Sequence, residues 1–513
     1  MVSVPGSSVR LTMLAFMAFM LAIVSARPAV ARTTPQFTRR GLPQAPADDP
    51  FYQPPAGFEN EDPGTILKQR NISVAFLGLI PDPVEAYQLL YRTTAINGSA
   101  IATVTTIFKP ASPKKDRFVS FHTAYDSSAT ICNPSYNYQL FAAQTDIISS
   151  AEQLLLQAYL LLGYIVASPD YEGPEAAFGP GRLEGMGVLD NMRAVSNFGS
   201  HLGLTSDNPM IVGAGYSGGA IATGWAAALQ PSYAPELDIK GWVQGGTPSN
   251  LTGTLVFIDN TLFSGFLPAA VVGLSMPSAY GAELTPIIEK ILTDKGRKTL
   301  EAAKTNCAVG DLISFPEMSL FSTDFQSLGT GLLEQPTVKK IMSENVLGVN
   351  KKETPTAPVF VYHATQDEVI PYSNATTMVD SWCANGANVK FTSYSNGGHA
   401  TTEVIALPDA VSFVQAAFAG TTEKGCSQNT KLDSVLNPIA LGVELEPILT
   451  KLIDVLAALG RGDSGVKQNL NVLKDVVTCL THRLTSVTPL SCSLASFLRG
   501  SAAPERGVPR GAP

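Results

Sequence analysis

Ile211-Val212-Gly213-Ala214-Gly215-Tyr216-Ser217-Gly218-Gly219-Ala220 is the stretch on which the reading of this chain turns. It contains G-x-S-x-G at Gly215, Ser217 and Gly219. The apolar run Met210-Ile211-Val212-Gly213 leads in as a strand, and the Ala-rich run Ala220–Leu229 leads out as a helix. That strand–turn–helix setting is what the motif needs to act as a nucleophile elbow. The turn is so tight that the positions two before and two after the serine must lack side chains. The serine then stands at a helix N-terminus, where backbone N–H groups and the helix dipole stabilise an oxyanion.

The same residues also spell G-x-G-x-x-G through Gly213, Gly215 and Gly218, with Glu236 and Asp238 at the distance of a ribose-binding acid. That pattern belongs to dinucleotide-binding oxidoreductases. Two features weigh against it. The element falls mid-chain, with a sheet already begun, and the N-terminal leader Leu11–Val24 with Ala29-Val30-Ala31 reads as a signal for export, where NAD is scarce.

Outward from the elbow, strand-like and helix-like segments alternate. Strands are expected at Tyr87–Tyr91, Ala100–Phe108, Phe118–His122, Tyr164–Ala167, Ile239–Gln244, Pro358–Tyr362 and Val389–Tyr394. Helices are expected around 151–162, at Leu183–Asn197 and at Ala220–Leu229. Such alternation argues for an α/β fold with a mostly parallel sheet. Residues 249–345 interrupt it with an apolar helical pattern that includes Phe257, Phe263 and Phe266, and read as a cap or lid over the sheet. Residues 41–70 read as an extended lead-in, and two amphipathic segments beyond 427 read as a helical hairpin.

A serine nucleophile needs a histidine base and an acid that orients it. The chain holds five histidines: His122, His201, His363, His399 and His482. In α/β-hydrolases the order is Ser, then Asp or Glu, then His. His122 and His201 precede Ser217, and His482 lies in the tail. His399 follows the turn Asn396-Gly397-Gly398 directly after a strand, and Asp367 also lies just past a strand. Asp367 and His399 therefore fit acid and base. Glu368 is the alternative acid, and His363, four residues before Asp367, reads as structural.

The 513 residues are 45% hydrophobic and 15% charged, with a net charge of −8. Globular proteins average about 25% charged. This composition supports a large core and excludes a disordered chain. The acidic balance argues against nucleic acid as a partner. Arg10, the apolar run Leu11–Val24 and Ala29-Val30-Ala31 have the layout of a secretory signal peptide. Beyond it no run of about 18 apolar residues suggests a transmembrane helix. Secretion makes the six cysteines interpretable as disulfides. Sequence neighbours suggest Cys383–Cys426 and Cys479–Cys492, leaving Cys132–Cys307. Sequons at Asn71, Asn97, Asn250 and Asn374 are candidate glycan acceptors.

Several stretches together resemble the fungal secretory lipase family of the lipase A type. They are Asp49-Pro50-Phe51-Tyr52-Gln53-Pro54-Pro55-Ala56-Gly57-Phe58-Glu59, Pro63–Leu67, Pro169-Asp170-Tyr171-Glu172-Gly173-Pro174, Leu189–Ala194 and the serine elbow. The resemblance runs from about 49 to 426. It implies an α/β-hydrolase with a helical cap, acting on triacylglycerols at an oil–water interface without metal or organic cofactor. It also implies that Asp126, in Tyr125-Asp126-Ser127-Ser128, joins the backbone N–H of Gly218 in the oxyanion hole. A carboxyl group donates there only if it is protonated, which requires a raised pKa. A carboxylesterase or peptidase of the same fold would share these residues. The expected layout is a signal peptide at 1–31, a pro- or linker segment at 32–48, hydrolase core at 49–248 and 346–426, and the cap at 249–345. A helical hairpin at 427–499 and a disordered tail at 500–513 complete it.

Overall fold

The computed structural model describes residues 42–432, apart from Asn396. The expected signal peptide, the tail beyond 432, Cys479, Cys492 and His482 lie outside the described residues. The strands in chain order are β1 (Ile66–Ile72), β2 (Ala75–Phe76), β3 (Ile80–Pro81), β4 (Glu85–Thr94), β5 (Ala100–Lys109), β6 (Arg117–His122) and β7 (Ile165–Pro169). They continue as β8 (Met210–Tyr216), β9 (Ile239–Gly245), β10 (Val359–Ala364), β11 (Val389–Tyr394) and β12 (Ser427–Lys431). Ten of them form one sheet in the order β1-β4-β5-β7-β6-β8-β9-β10-β11-β12, and β2 and β3 form a separate hairpin.

The pairings β1–β4, β4–β5 and β5–β7 are antiparallel, and the other six are parallel. The expected α/β-hydrolase architecture with a mostly parallel sheet is therefore present. The central strands are apolar because both faces are covered. Every residue of β10 is buried, as is every residue of β8 except Met210. Helices Gly181–Asn197, Gly218–Tyr233 and Tyr372–Ala384 contribute to the core on one face. Helices Ile147–Leu161 and His399–Ala419 cover the other.

Between β9 and β10 the chain forms helices Leu251–Ile258, Phe266–Leu274, Gly281–Ile291, Asp294–Ala303, Ala308–Ser314 and Pro336–Glu344. Leu255, Leu267, Leu284 and Leu300 from this segment join the same apolar cluster as the sheet residues Ile211 and Val361. The segment thus shares the main core. The Cys132–Cys307 disulfide, spanning 175 residues of sequence, fastens it to the loop after β6.

Two expectations need correction. Residues 427–431, assigned to a helical tail, are strand β12, paired in parallel with β11. Within the supposed lead-in, Ile66–Ile72 is the edge strand β1. Among the described residues one helix, His399–Ala419, is long and apolar enough to cross a membrane by length and composition, and most of it is buried inside the protein. Its side chains Val404, Leu407, Val411 and Val414 are buried in the core, which explains the apolar composition.

Candidate active site

The parallel strands β6, β8, β9, β10 and β11 end on one edge of the sheet, where α/β proteins gather their functional groups. Ser217 follows β8 directly and is the N-cap of helix Gly218–Tyr233. Its backbone stands at φ 51°, ψ −122°. A non-glycine residue held so costs of order 1–3 kcal/mol and persists only where its surroundings force it. The flanking glycines explain how. A Cβ at Gly215 would overlap the carbonyl of Gly219, and a Cβ at Gly219 would overlap the carbonyl of His122.

Ser217 Oγ lies 2.8 Å from His399 Nε2, and His399 Nδ1 lies 2.8 Å from Asp367 Oδ2. Asp367 sits in the loop after β10. Its Oδ1 accepts the backbone N–H groups of Val369 at 2.9 Å and Ile370 at 2.7 Å. Burial alone would raise the Asp367 carboxyl, but facing His399 and His363 hold it well below the usual carboxylate range. Burial pulls the His399 imidazole down, and the adjacent Asp367 charge outweighs it, leaving the ring above its ordinary value. Tyr216 Oη donates to the His399 carbonyl at 2.6 Å and helps place the ring.

The remaining acid and histidines occupy other positions. Glu368 Oε2 accepts the backbone N–H of His399 at 2.9 Å and so holds the main chain. His363 Nε2 lies 3.1 Å from Ile370 O and 3.2 Å from Asp367 Oδ2. It braces the acid and does not meet Ser217. His122 is enclosed between Ser120 and Thr223, and burial lowers its pKa to about 3. His201 stacks on Phe198 with ring centroids 4.5 Å apart.

Asp126 comes to the same place from the loop after β6. It is 6% exposed, its φ is 44°, and its Oδ1 has no hydrogen-bond partner among the described residues. A side chain at Gly218 would overlap its carboxyl. Burial raises the Asp126 pKa to about 7, so the group is largely protonated on the acid side of neutrality. The structure thus assembles Ser217, His399, Asp367, Asp126 and Gly218 around one point. This arrangement can move a proton from a hydroxyl to an imidazole and offer donors to a nearby oxyanion.

The dinucleotide reading fails on placement. Glu236 and Asp238 precede β9, at the opposite edge of the sheet from the elbow. They pair with Arg193 and Lys240, each at 2.6 Å. Among the described residues no group of three or more His, Cys, Asp or Glu side chains is placed to hold a metal. The pairs Cys132–Cys307 and Cys383–Cys426 are disulfides. Of the sequons, Asn71 and Asn97 are exposed. Asn250 caps the helix that follows it, accepting the Gly253 N–H at 3.0 Å. The Nδ2 of Asn374, the atom that would carry a sugar, is buried.

The sequence reading passed over several buried acids beside the site. Glu152 accepts the Ala124 N–H, and Glu184 accepts that of Gly179 at 2.8 Å. Glu172 and Glu403 also lie near; burial raises both carboxyls. For Glu152 the one signal was a lone acid within an apolar helical stretch, Ala151-Glu152-Gln153-Leu154-Leu155-Leu156.

Known proteins resemble this chain over most of its length. A family model described as secretory lipase matches residues 139–425, which include Ser217, Asp367 and His399. A secreted triacylglycerol lipase of Malassezia furfur is 41% identical over 412 residues, covering 80% of this chain and 83% of that protein. A second from the same organism is 40% identical over 463 residues, covering 88% and 97%. The crystal structure of Candida antarctica lipase A in its closed state superposes with a TM-score of 0.71 at 31% identity, covering 81% of this chain and 96% of that one. The chain belongs to the secretory lipase family.

Proposed function

We propose that the protein is a secreted triacylglycerol lipase that cleaves carboxylic esters of glycerolipids through an acyl-enzyme. The observation that carries this reading is the continuous relay Ser217 Oγ, His399 Nε2, His399 Nδ1 and Asp367 Oδ2, with both links at 2.8 Å. His399 takes the Ser217 proton as Oγ attacks the ester carbonyl. The Gly218 N–H and the protonated Asp126 carboxyl donate to the oxyanion. His399 then passes its proton to the departing alcohol. Water, deprotonated by the same imidazole, attacks the acyl-enzyme and releases the fatty acid and free Ser217. Asp367 stays ionised throughout and orients the ring.

The relatives named as secreted triacylglycerol lipases support the substrate class and the extracellular location. Residues 1–31 are the leader removed on export, and Asn71 and Asn97 are the sequons best exposed for glycans. The helical segment within 249–345 acts as the cap, and its exposed Val256 and Phe257 face the lipid. Hydrolysis of a long-chain triacylglycerol emulsion by wild type beside Ser217→Ala tests the reading. Activity in the first and its loss in the second are expected. Turnover of dissolved short esters without action on the emulsion would make the protein an esterase, and equal activity in both proteins would remove Ser217 from the mechanism.

A further inference from the structure

Asp126 serves the oxyanion only if its loop holds it over Gly218, and its own backbone does not favour that position. At φ 44° it occupies a region that non-glycine residues rarely adopt. Such a conformation persists where the surroundings over-determine it. Two residues upstream, the Ala124 N–H points at Glu152 and lies 3.1 Å from Oε1 and 3.0 Å from Oε2. Glu152 is 2% exposed and projects from helix Ile147–Leu161. Ala124 also rests on the elbow, since a Cβ at Gly219 would come within 3.4 Å of its nitrogen. One carboxyl group therefore grips the loop where it crosses from β6 to the nucleophile.

Glu403 completes the arrangement. It lies four residues after His399 on helix His399–Ala419, which places the two on one helical face. Burial, and then the Glu403 charge, push the Glu152 carboxyl well above the ordinary range. Two buried acids whose charges repel each other do not both ionise. The pair keeps a proton and leaves oxygen free to accept the Ala124 N–H.

We propose that Glu152 is a positioning residue for the acyl transfer: by accepting the Ala124 N–H it fixes the 123–128 loop against the elbow and holds the Asp126 carboxyl in the oxyanion site. The inference rests on the reading of Asp126 as an oxyanion donor. A buried acid that merely filled space would be replaceable by an apolar side chain of its size. A positioning acid would not.

The test measures kcat and KM on a dissolved short-chain p-nitrophenyl ester, with thermal melts, for wild type and four variants. These are Asp126→Ala, Glu152→Met, Glu152→Gln and the double variant Asp126→Ala/Glu152→Met. Met fills the volume but accepts no N–H, whereas Gln keeps an acceptor oxygen and a donor toward Glu403. Asp126→Ala is expected to lower kcat by about 10²- to 10³-fold. Glu152→Met should lower it by roughly 10- to 100-fold with KM within about twofold, and Glu152→Gln should recover most of that loss. The double variant should be no slower than Asp126→Ala within about threefold, because both changes remove one donor. Wild-type kcat in folded Glu152→Met, multiplied losses in the double variant, or Glu152→Gln no better than Glu152→Met would each overturn the proposal. Loss of the folded state in Glu152→Met would do so too, by making Glu152 a determinant of the fold. Wild-type kcat in Asp126→Ala would overturn the oxyanion reading itself, and this inference with it.

Discussion

The Asp126 carboxyl packs directly on the α-carbon of Gly218, in space that any side chain at position 218 would fill. Asp126 lies in the loop after β6 and Gly218 opens the helix after β8, and the two meet because those strands are parallel neighbours. The glycine is therefore set by the oxyanion group as much as by the turn. Gly218→Ala should push Asp126 aside and lower kcat by about 10²-fold or more. The melting temperature should move little, since the methyl group displaces a single loop carboxyl. Steady-state kinetics beside a thermal melt decide it. A fully active Gly218→Ala would mean that Asp126 does not work from where it lies.

Activity should follow a bell-shaped pH curve with a narrow top near neutrality. His399 must be neutral to accept the Ser217 proton, and its pKa is raised above the ordinary histidine value by Asp367 after burial has opposed it. That gives the acid limb. Asp126 must be protonated to donate, and its pKa is raised to about 7 by burial. That gives the alkaline limb. Asp126→Asn carries a donor at every pH, so its kcat profile should keep the acid limb and lose the alkaline one. An alkaline limb unchanged in Asp126→Asn would assign that titration to another group.

Asp367 and Glu368 adjoin in sequence yet serve different atoms of His399. Asp367 meets Nδ1 of the ring, and Glu368 meets the backbone N–H. Asp367→Asn should lower kcat by about 10⁴-fold, because the carboxamide does not hold the required tautomer or stabilise the imidazolium. Glu368→Gln keeps an acceptor for the backbone N–H and should lose less than about tenfold. Comparable losses in the two variants would reopen Glu368 as the acid.

The sequence made the elbow legible because its glycines are demanded by backbone collisions that only a few residues control. The central strands were legible because burial on both faces leaves continuous apolar runs, as in Val359-Phe360-Val361. Five histidines and a fixed order of residues then narrowed the base and acid. What escaped was structure held by backbone pairing or by distant partners. β12 is Ser427-Gln428-Asn429-Thr430-Lys431, an edge strand whose pairing with β11 needs no apolar side chain. In β1, Lys68, Gln69 and Arg70 read as loop for the same reason. The turn before His399 was readable, but not that His399 opens a helix of 21 residues. Glu152 escaped because its partner, the Ala124 N–H, lies 28 residues away in the sequence.

The buried acids predict how stability varies with pH. Burial raises Asp126 and Asp170 to about 7, Asp146 to about 6 and Glu403 to about 8, against ordinary values of 3.8 for aspartate and 4.5 for glutamate. Between those limits the folded chain holds protons that the unfolded chain has released. The unfolding free energy therefore falls as pH rises through that window. His399, also raised, adds to the same slope as pH passes its folded value. Asp367 acts oppositely, but its stabilising effect is lost only as pH falls below the ordinary aspartate range. The net expectation is a protein more resistant to unfolding near pH 5 than near pH 8, by a few kcal/mol, or on the order of 5 °C in melting temperature. Urea unfolding of the intact enzyme across that range measures it. A midpoint that is flat or rises toward pH 8 would show that these carboxyls ionise in the folded chain at ordinary values. The protonated state required of Asp126 would then be unavailable at neutral pH.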